Sequence, residues 1–487
     1  MSEPSLKKQT VSGLFWKMAE RIGSQIIRMV VMIVLARILM PEDYGAIALV
    51  MVFISICDVI LINGLSSPLI QKKDADSLDF STIFYCSIAL GLVLFLIVYF
   101  SAPAIARFYD MEVLCPVLRV LSIGVVVSSI GSVQNAYVSR IMQFKTFFFA
   151  SLIGLVVSGV IGIWMAYQGY GIWALVGQTL SNQIVNVIVV FIMIRWLPTK
   201  EFSWQRFKGM WSFGWKIFIA ALINNLFQDI RTILIGKFYT KQDLAYYNQG
   251  NQYPQLVVGT VNSSINSVLF PAIAKIQDDI PAVRAFLRRS IKIGSYVLFP
   301  LLLGFAATAE PLVRLFLTEK WLPSVPFIQV MCLALFLSPI STPSQQAIKA
   351  IGRSDVTMKQ ELIKKSVYLA LIIGGLFISV WGVVIGSAIG EIWCVLVNAF
   401  PCKKYLNYLF SDQLRDIMPN LMTAGAMALV VYSINFIGFS PALSLVVQIP
   451  LGVILYVGIS IATKNESYIY YKNELTRYFN NKFKRNK

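Results

Sequence analysis

Histidine is absent from this 487-residue chain. That removes at once the commonest general base and the commonest protein ligand for metals. Cysteine is sparse and unpatterned. Cys57, Cys86, Cys115, Cys332, Cys394 and Cys402 are scattered, mostly inside apolar runs, with no CxxC pair. They read as small hydrophobes, neither zinc ligands nor a disulfide frame, and no metal or cofactor site is expected. No GxxxxGK[ST] loop occurs, so the chain carries no nucleotide-driven engine of its own. The N-terminus lacks the short apolar core and small-residue cleavage site of a signal peptide, and its first segment is expected to stay uncleaved. Charge is scarce as well, at 14% of residues against about a quarter in soluble domains.

What is present is apolar surface. Hydrophobic residues make up 57% of the chain, more than a single water-soluble core can hide, since cores stop growing at about 250–300 residues. With 32 Phe, 21 Tyr and 10 Trp the chain is also far too aromatic to be disordered. The composition is that of an all-α polytopic membrane protein.

A helix needs about 20 residues to cross roughly 30 Å of hydrocarbon. Fourteen segments qualify, at approximately 12–39, 45–70, 81–103, 113–139, 146–168, 172–196, 211–238, 250–274, 290–317, 324–350, 359–381, 382–404, 414–437 and 440–463. The short loops between them leave no room for an extramembrane catalytic domain. The net charge of +18 lies between these segments, so it reads as topology and membrane-surface contact and not as nucleic-acid binding. With the N-terminus inside, 30 of the 42 basic residues fall on the inner side and only six on the outer, the rest lying within spans. Arg107, Arg119, Lys237, Lys241, Arg314 and Lys320 are those six. This bias places both termini in the cytoplasm. The tail from Tyr468-Ile-Tyr-Tyr-Lys to Phe483-Lys-Arg mixes aromatics with cations and is expected to rest on anionic lipids of the inner leaflet.

An internal repeat runs through the chain. Trp16-Lys17 at the start of the first span matches Trp215-Lys216 at the start of the seventh, at an offset of 199 residues. Further on, ARILMPEDYGAI is echoed by GKFYTKQDLAYY, with Asp43 opposite Asp243. Six spans separate the copies, so the two share one orientation and two six-helix lobes are expected, a parallel repeat. The first lobe would hold residues 1–200 and the second 201–410. An appended helix pair would occupy 411–464 and a basic tail 465–487. Transporters built this way hold substrate between lobes and rock to alternate access.

Ionisable residues within spans cost about 2.5–3.5 kcal/mol each at a helix centre, so they need a reason. The first span carries Lys17, Arg21, Ser24 and Arg28 at spacings of four, three and four, one helical face. Lys17 lies near the inner edge and can snorkel, with Glu20 one turn on to neutralise it. Arg28 lies about 16 Å deeper. The seventh span repeats the theme with Lys216, Asn224, Gln228 and Arg231, and Asp229 lies beside that face. Arg119 adds a cation on the fourth span. Two arrangements are open. Internal ion pairs would join Arg28 to Asp58 or Arg231 to Asp229. Alternatively the cations line a cavity that accepts an anionic group such as a pyrophosphate or uronic acid, for which arginine's fixed charge and forked donors are suited. Asp58 and Glu391, lone acids midway along the second and twelfth spans, are candidates for a proton- or sodium-responsive site. Among the prolines, Pro339 and Pro343 make the tenth span the best candidate for a bend.

Several segments resemble a known family. Ala36-Arg37-Ile-Leu-Met-Pro-Glu-Asp-Tyr-Gly45, Leu69-Ile-Gln-Lys-Lys73, Gly169-Tyr-Gly-Ile-Trp-Ala-Leu-Val176, Val268-Leu-Phe-Pro-Ala-Ile-Ala-Lys-Ile-Gln-Asp-Asp279 and Glu319-Lys-Trp321 stand in the order and spacing of bacterial polysaccharide transporters. The likeness covers about residues 10–465. It is greatest to Wzx-type flippases of the colanic-acid and teichuronic-acid exporter branch, within the superfamily that includes multidrug MATE antiporters and lipid II flippases. The resemblance implies transfer of undecaprenyl-pyrophosphate-linked oligosaccharide across the cytoplasmic (inner) membrane for surface polysaccharide assembly. It also implies two six-helix lobes plus two helices, a cationic central cavity and ion-coupled movement, with a polymerase and chain-length regulator as possible partners. A cation-coupled MATE-like antiporter on the same architecture would want acids in the cavity, where bases outnumber them. A membrane-embedded glycosyltransferase would need a base or metal site and usually a sizeable outer loop, and the chain has no histidine and only short loops.

Overall fold

The computed structural model describes the backbone of residues 3–72, 74–194 and 196–485, with side chains there except those of 3–15, 474, 475 and 478–485. Lys7, Lys8, Lys73, Arg195, Lys482, Lys484, Arg485 and Lys487, eight of the thirty inner cations, lie outside the described residues or side chains. Described residues form helices and short connections, with no strand among them.

Two compact units divide the chain after Ala245. In the first, α1 (Glu3–Ile38) is followed by α2 (Pro41–Val59), which continues through a π-helical stretch, Ile60–Ser66, into α3 (Ser67–Gln71). Then come α4 (Ser77–Phe108), α5 (Leu114–Arg140), α6 (Phe144–Tyr167), α7 (Ile172–Ile194) and α8 (Trp204–Phe238). The second unit runs from within α9 (Lys241–Ala274) through α10 (Ile280–Leu312), α11 (Val325–Leu335), α12 (Ser338–Ala350) and α13 (Ser354–Leu376). It ends with α14 (Val380–Leu406), α15 (Phe410–Ser433), α16 (Pro441–Ala462) and α17 (Glu466–Arg485).

The helix starts are written locally. Asp76 accepts from the Asp79 amide at 3.0 Å while Asp79 accepts from the Asp76 amide at 3.2 Å, a reciprocal cap on α4. Ser203, Asp279, Ser379 and Ser440 cap α8, α10, α14 and α16 in the simpler way. The repeat seen in the sequence has a geometric counterpart here. Asp43 and Asp243 each stand third in their helix, and each accepts the amide just before it, from Met40 and Thr240, both at 3.3 Å.

Among the described residues, eleven helices are long and apolar enough to cross a membrane, and twelve if the bent pair formed by Glu319–Leu335 and Ser338–Ala350 is one span. The pair meets at 40°. The break falls just before Pro339, whose missing N–H belongs at the start of α12. Besides the charged tail helix α17, two more helices have the length but too much charge for an apolar window. These are α1, with Lys17, Glu20, Arg21, Arg28 and Arg37, and α13, with Lys359, Glu361, Lys364 and Lys365. The chain is a multi-pass membrane protein.

Packing follows membrane rules, in which small residues let helices close up and hydroxyls bond across them. Ser87 of α4 donates to the Ser129 carbonyl of α5 at 2.9 Å. A Cβ at Gly214 of α8 would run into the Gly64 carbonyl in the π-helical stretch, so glycine is required for that contact. In the second unit α15 packs on α10 and α16 on both. The last two spans therefore belong to the same compact unit as α10–α14. Their core joins Ile291 and Phe299 of α10 to Ile417, Ala424 and Met427 of α15.

Candidate functional site

Helix α1 leans on α6, where Val31 occupies the space beside Gly159 and Leu152 the space beside Gly23. Between Lys17 and Val30 this contact leaves much of the helix open, and the open part has two characters. Met18, Ile22, Ile26, Met29 and Val30 are exposed on one side. Lys17, Arg21 and Arg28 are exposed on another. At 100° per residue the two sets lie roughly 60–180° apart around the axis, and Arg28 about 80–160° from the apolar set. An apolar side of this kind suits lipid, and the basic side then faces elsewhere.

The four residues of the α1 stripe differ in detail. Lys17 pairs with Glu20 at 3.5 Å and lies over the Phe147 ring of α6 at 5.0 Å. Glu20 also accepts from Ser151 of α6 at 3.2 Å, so this end of the stripe is tied to its neighbour. Ser24 is buried between the cations, at 8% exposure. Arg28 is exposed and has no carboxylate within ion-pair distance among the described residues.

The internal pairs that the sequence left open do not form at Arg28. Asp58 instead accepts from Ser128 of α5 at 2.6 Å. On α8, Lys216, Asn224 and Gln228 are exposed, whereas Arg231 is buried at 8% exposure. Asp229 turns to α2, accepting from Ser55 at 3.3 Å and from Asn225 at 3.3 Å, while Asn225 also donates to Ser55 at 3.0 Å. The middle of α2 thus carries Ser55 and Asp58 bonded to α8 and α5 respectively, directly ahead of the π-helical stretch. Such stretches interrupt the regular ladder and recur at functional sites. Arg119 is half-buried against α4, its guanidinium 4.8 Å above the Tyr99 ring and its Nε donating to the Tyr99 carbonyl at 3.4 Å.

Sequence reasoning missed a polar cluster in the second unit. Lys364 is only 8% exposed. It donates to Glu361 at 2.7 Å, and Glu361 accepts from Gln345 of α12 at 2.6 Å. Asn398 of α14 donates to Ser341 at 2.8 Å in the same region of α12 and α14. Glu391 is half-buried on α14 and accepts a long 3.5 Å bond from Tyr368 of α13, whose ring fills the space beside Gly390. The signal available was Glu361–Lys364, a pair one turn apart around Leu362 and Ile363. Among the described residues no group of three or more acidic or thiol side chains is arranged to hold a metal, and all six cysteines are free.

Comparison with known proteins follows the same line. Teichuronic acid biosynthesis protein TuaB of Bacillus subtilis (strain 168) is 25% identical over 439 residues, spanning 89% of this chain and 90% of its own. Lipopolysaccharide biosynthesis protein WzxC of Escherichia coli (strain K12) is 24% identical over 443 residues, with 88% and 89% covered. Among solved structures, the lipid II flippase MurJ in its inward closed conformation superposes with a TM-score of 0.73 over 95% of this chain and 100% of its own, at 17% identity, a likeness of fold. The polysaccharide biosynthesis protein family model matches residues 34–326. On that match, extending over more than half its length, the chain belongs to the polysaccharide biosynthesis protein family.

Proposed function

We propose that this protein is a flippase for undecaprenyl-pyrophosphate-linked oligosaccharide, moving repeat units across the bacterial cytoplasmic membrane for surface polysaccharide assembly. In this reading all fourteen segments span, α1 and α13 included, with both termini cytoplasmic. The duplication divides the spans into lobes of six at residues 1–200 and 201–410, followed by the pair at 411–464. The chain acts by alternating access and makes or breaks no bond in its cargo. One observation carries the reading. The exposed cations of α1 stand on a different side from its exposed apolar residues, and Arg28 has no carboxylate partner among the described residues. A permanently charged, forked donor held at that depth suits a pyrophosphate passing the membrane.

In the proposed path, Arg21 and Arg28 take the anionic head, with Lys17 and Ser24 on the same stripe. Lys216, Asn224 and Gln228 of α8 follow the sugar, while the prenyl chain stays in lipid. Arg231 and Arg119 set the local positive potential from less exposed positions. Ion coupling is assigned to Asp58 and, in the second unit, Glu391. Both are half-buried acids bonded by hydroxyl groups, Asp58 by Ser128 and Glu391 by Tyr368. The test is reconstitution into vesicles with fluorescent lipid-linked oligosaccharide. Arg28→Ala should lower head-group translocation at least tenfold, since a charge-assisted bond contributes about 1.5–3 kcal/mol. A folded variant transporting at the normal rate removes Arg28 from the path.

A further inference from the structure

Within the second unit, a cleft of about 390 Å³ opens where α17 crosses the beginning of α10. Arg288, Arg289 and Lys292 of α10 form one wall, and Glu466, Ser467 and Tyr470 of α17 the other. The apolar run of α10 starts at Ile293 and continues without charge to Ala309. The three cations therefore lie just outside the hydrocarbon, at the level of lipid headgroups.

The wall from α17 is fixed in place. Asn465 donates to Asn420 of α15 at 2.9 Å, Ser467 Oγ donates to the Lys292 carbonyl at 3.4 Å, and the Tyr471 ring packs 5.7 Å from that of Tyr296. Beneath the cleft, Asp416 of α15 has only 5% of its side chain exposed. It accepts Nε and Nη2 of Arg288 at 2.7 and 2.6 Å and also the Tyr408 hydroxyl at 2.7 Å. Lys292 stands between it and Glu466, at 3.3 and 2.6 Å. Asp416 thus sets the orientation of two cations from below, and Glu466 is the one carboxylate among the lining residues. Arg289 has no ion pair among the described residues. Its guanidinium carbon lies 3.9 Å from the centre of the Tyr470 ring, a cation–π contact, and no carboxylate lies within ion-pair distance of it among the described residues.

We propose that this cleft binds a phosphate group, with the headgroup of an anionic phospholipid as its source. Arg289 is the principal ligand, and Arg288 and Lys292, their charge balanced by Asp416 and Glu466, offer the N–H donors those carboxylates leave unused. A phosphodiester offers two acceptor oxygens, which the edge of a guanidinium meets with parallel bonds. A cleft of this size holds a glycerophosphate head with acyl chains continuing into lipid alongside α10. The inference goes beyond the transport reading and does not use the α1 stripe.

The test uses the purified full-length protein in neutral detergent, with retained lipid counted by native mass spectrometry and melting temperature followed in parallel. Phosphatidylglycerol should be retained and should raise the melting temperature, while phosphatidylcholine does neither. Arg289→Gln should weaken phosphatidylglycerol binding about five- to tenfold, as expected for one surface cation. Tyr470→Leu, on the other wall, should weaken it in the same direction. Lys359→Ala, an exposed cation on α13 that neither lines the cleft nor belongs to the tail, should leave it unchanged. Inorganic phosphate is the second arm. Phosphatidylglycerol binding without phosphate binding assigns the site to lipid, and saturation by phosphate at matching concentration assigns it to the free anion. Binding by neither, or equal phosphatidylglycerol affinity in Arg289→Gln, Tyr470→Leu and the unaltered protein, overturns the proposal.

Discussion

Asp76 and Asp79 share one turn at the start of α4 yet lie in different surroundings. Asp79 is fully buried between Lys72 at 2.6 Å and Arg206 at 3.2 Å, whereas half of Asp76 is exposed. The hydrogen bond from Arg206, supported by the Asp79 amide, holds the Asp76 carboxyl down at about 2. A depressed carboxylate contributes its stability fully above the ordinary value near 4 and loses it as pH falls toward the folded value. Asp76→Asn keeps the helix cap and removes the charge. Its melting temperature should lie slightly below that of the unaltered protein from pH 7 to about 4, and the gap should close as pH approaches 2. An undiminished gap at pH 2 would mean the charge is irrelevant there. That Lys17, Arg21 and Arg28 share one helix and stand exposed on it was legible in their spacing. The burial of Lys364 was not, because α13 begins at Ser354, five residues ahead of the span's expected start, and carries that lysine inward.

Helices meet through a few contacts that admit no side chain. At Gly214 the α8 backbone closes on the Gly64 carbonyl, and at Gly236 the Leu49 side chain occupies the space a Cβ would take. Gly214→Leu should destabilise the protein by about 1–3 kcal/mol, the usual cost of overpacking. Gly209→Leu, with open space around its position, should cost only a helix-propensity-sized change, in the stabilising direction. Thermal unfolding monitored in detergent distinguishes the two, and equal melting temperatures would show that α8 is free to move off the π-helical stretch. The apolar runs and the α11–α12 bend near Pro339 could be read from residue order. The π-helical stretch could not, since Ile-Leu-Ile-Asn-Gly-Leu-Ser has no composition that sets it apart from α-helix. Its register depends on neighbours in α5 and α8 that are distant in the chain.

Over the whole chain the charge bias makes the orientation testable without any transport assay. A fluorescent protein fused after Lys487 should fluoresce from the cytoplasm. Alkaline phosphatase should be active when fused near Lys241 and inactive when fused near Lys275. Activity at both positions would invert or break the proposed topology. The membrane class and the family were legible from composition and from motifs such as Ala36–Gly45. The division into compact units after Ala245 was not, because contact between α2 and α8 is a property of packing and leaves no trace in residue order.

The twin turns closed by Asp43 and Asp243 bear on how the chain is made. Each bond spans three residues, so the first turn of α2 and that of α9 can form before any distant helix has been synthesised. Both helix starts can therefore be set while the nascent polypeptide is leaving the insertion machinery. Later-emerging segments then add to helices whose first turns are already closed.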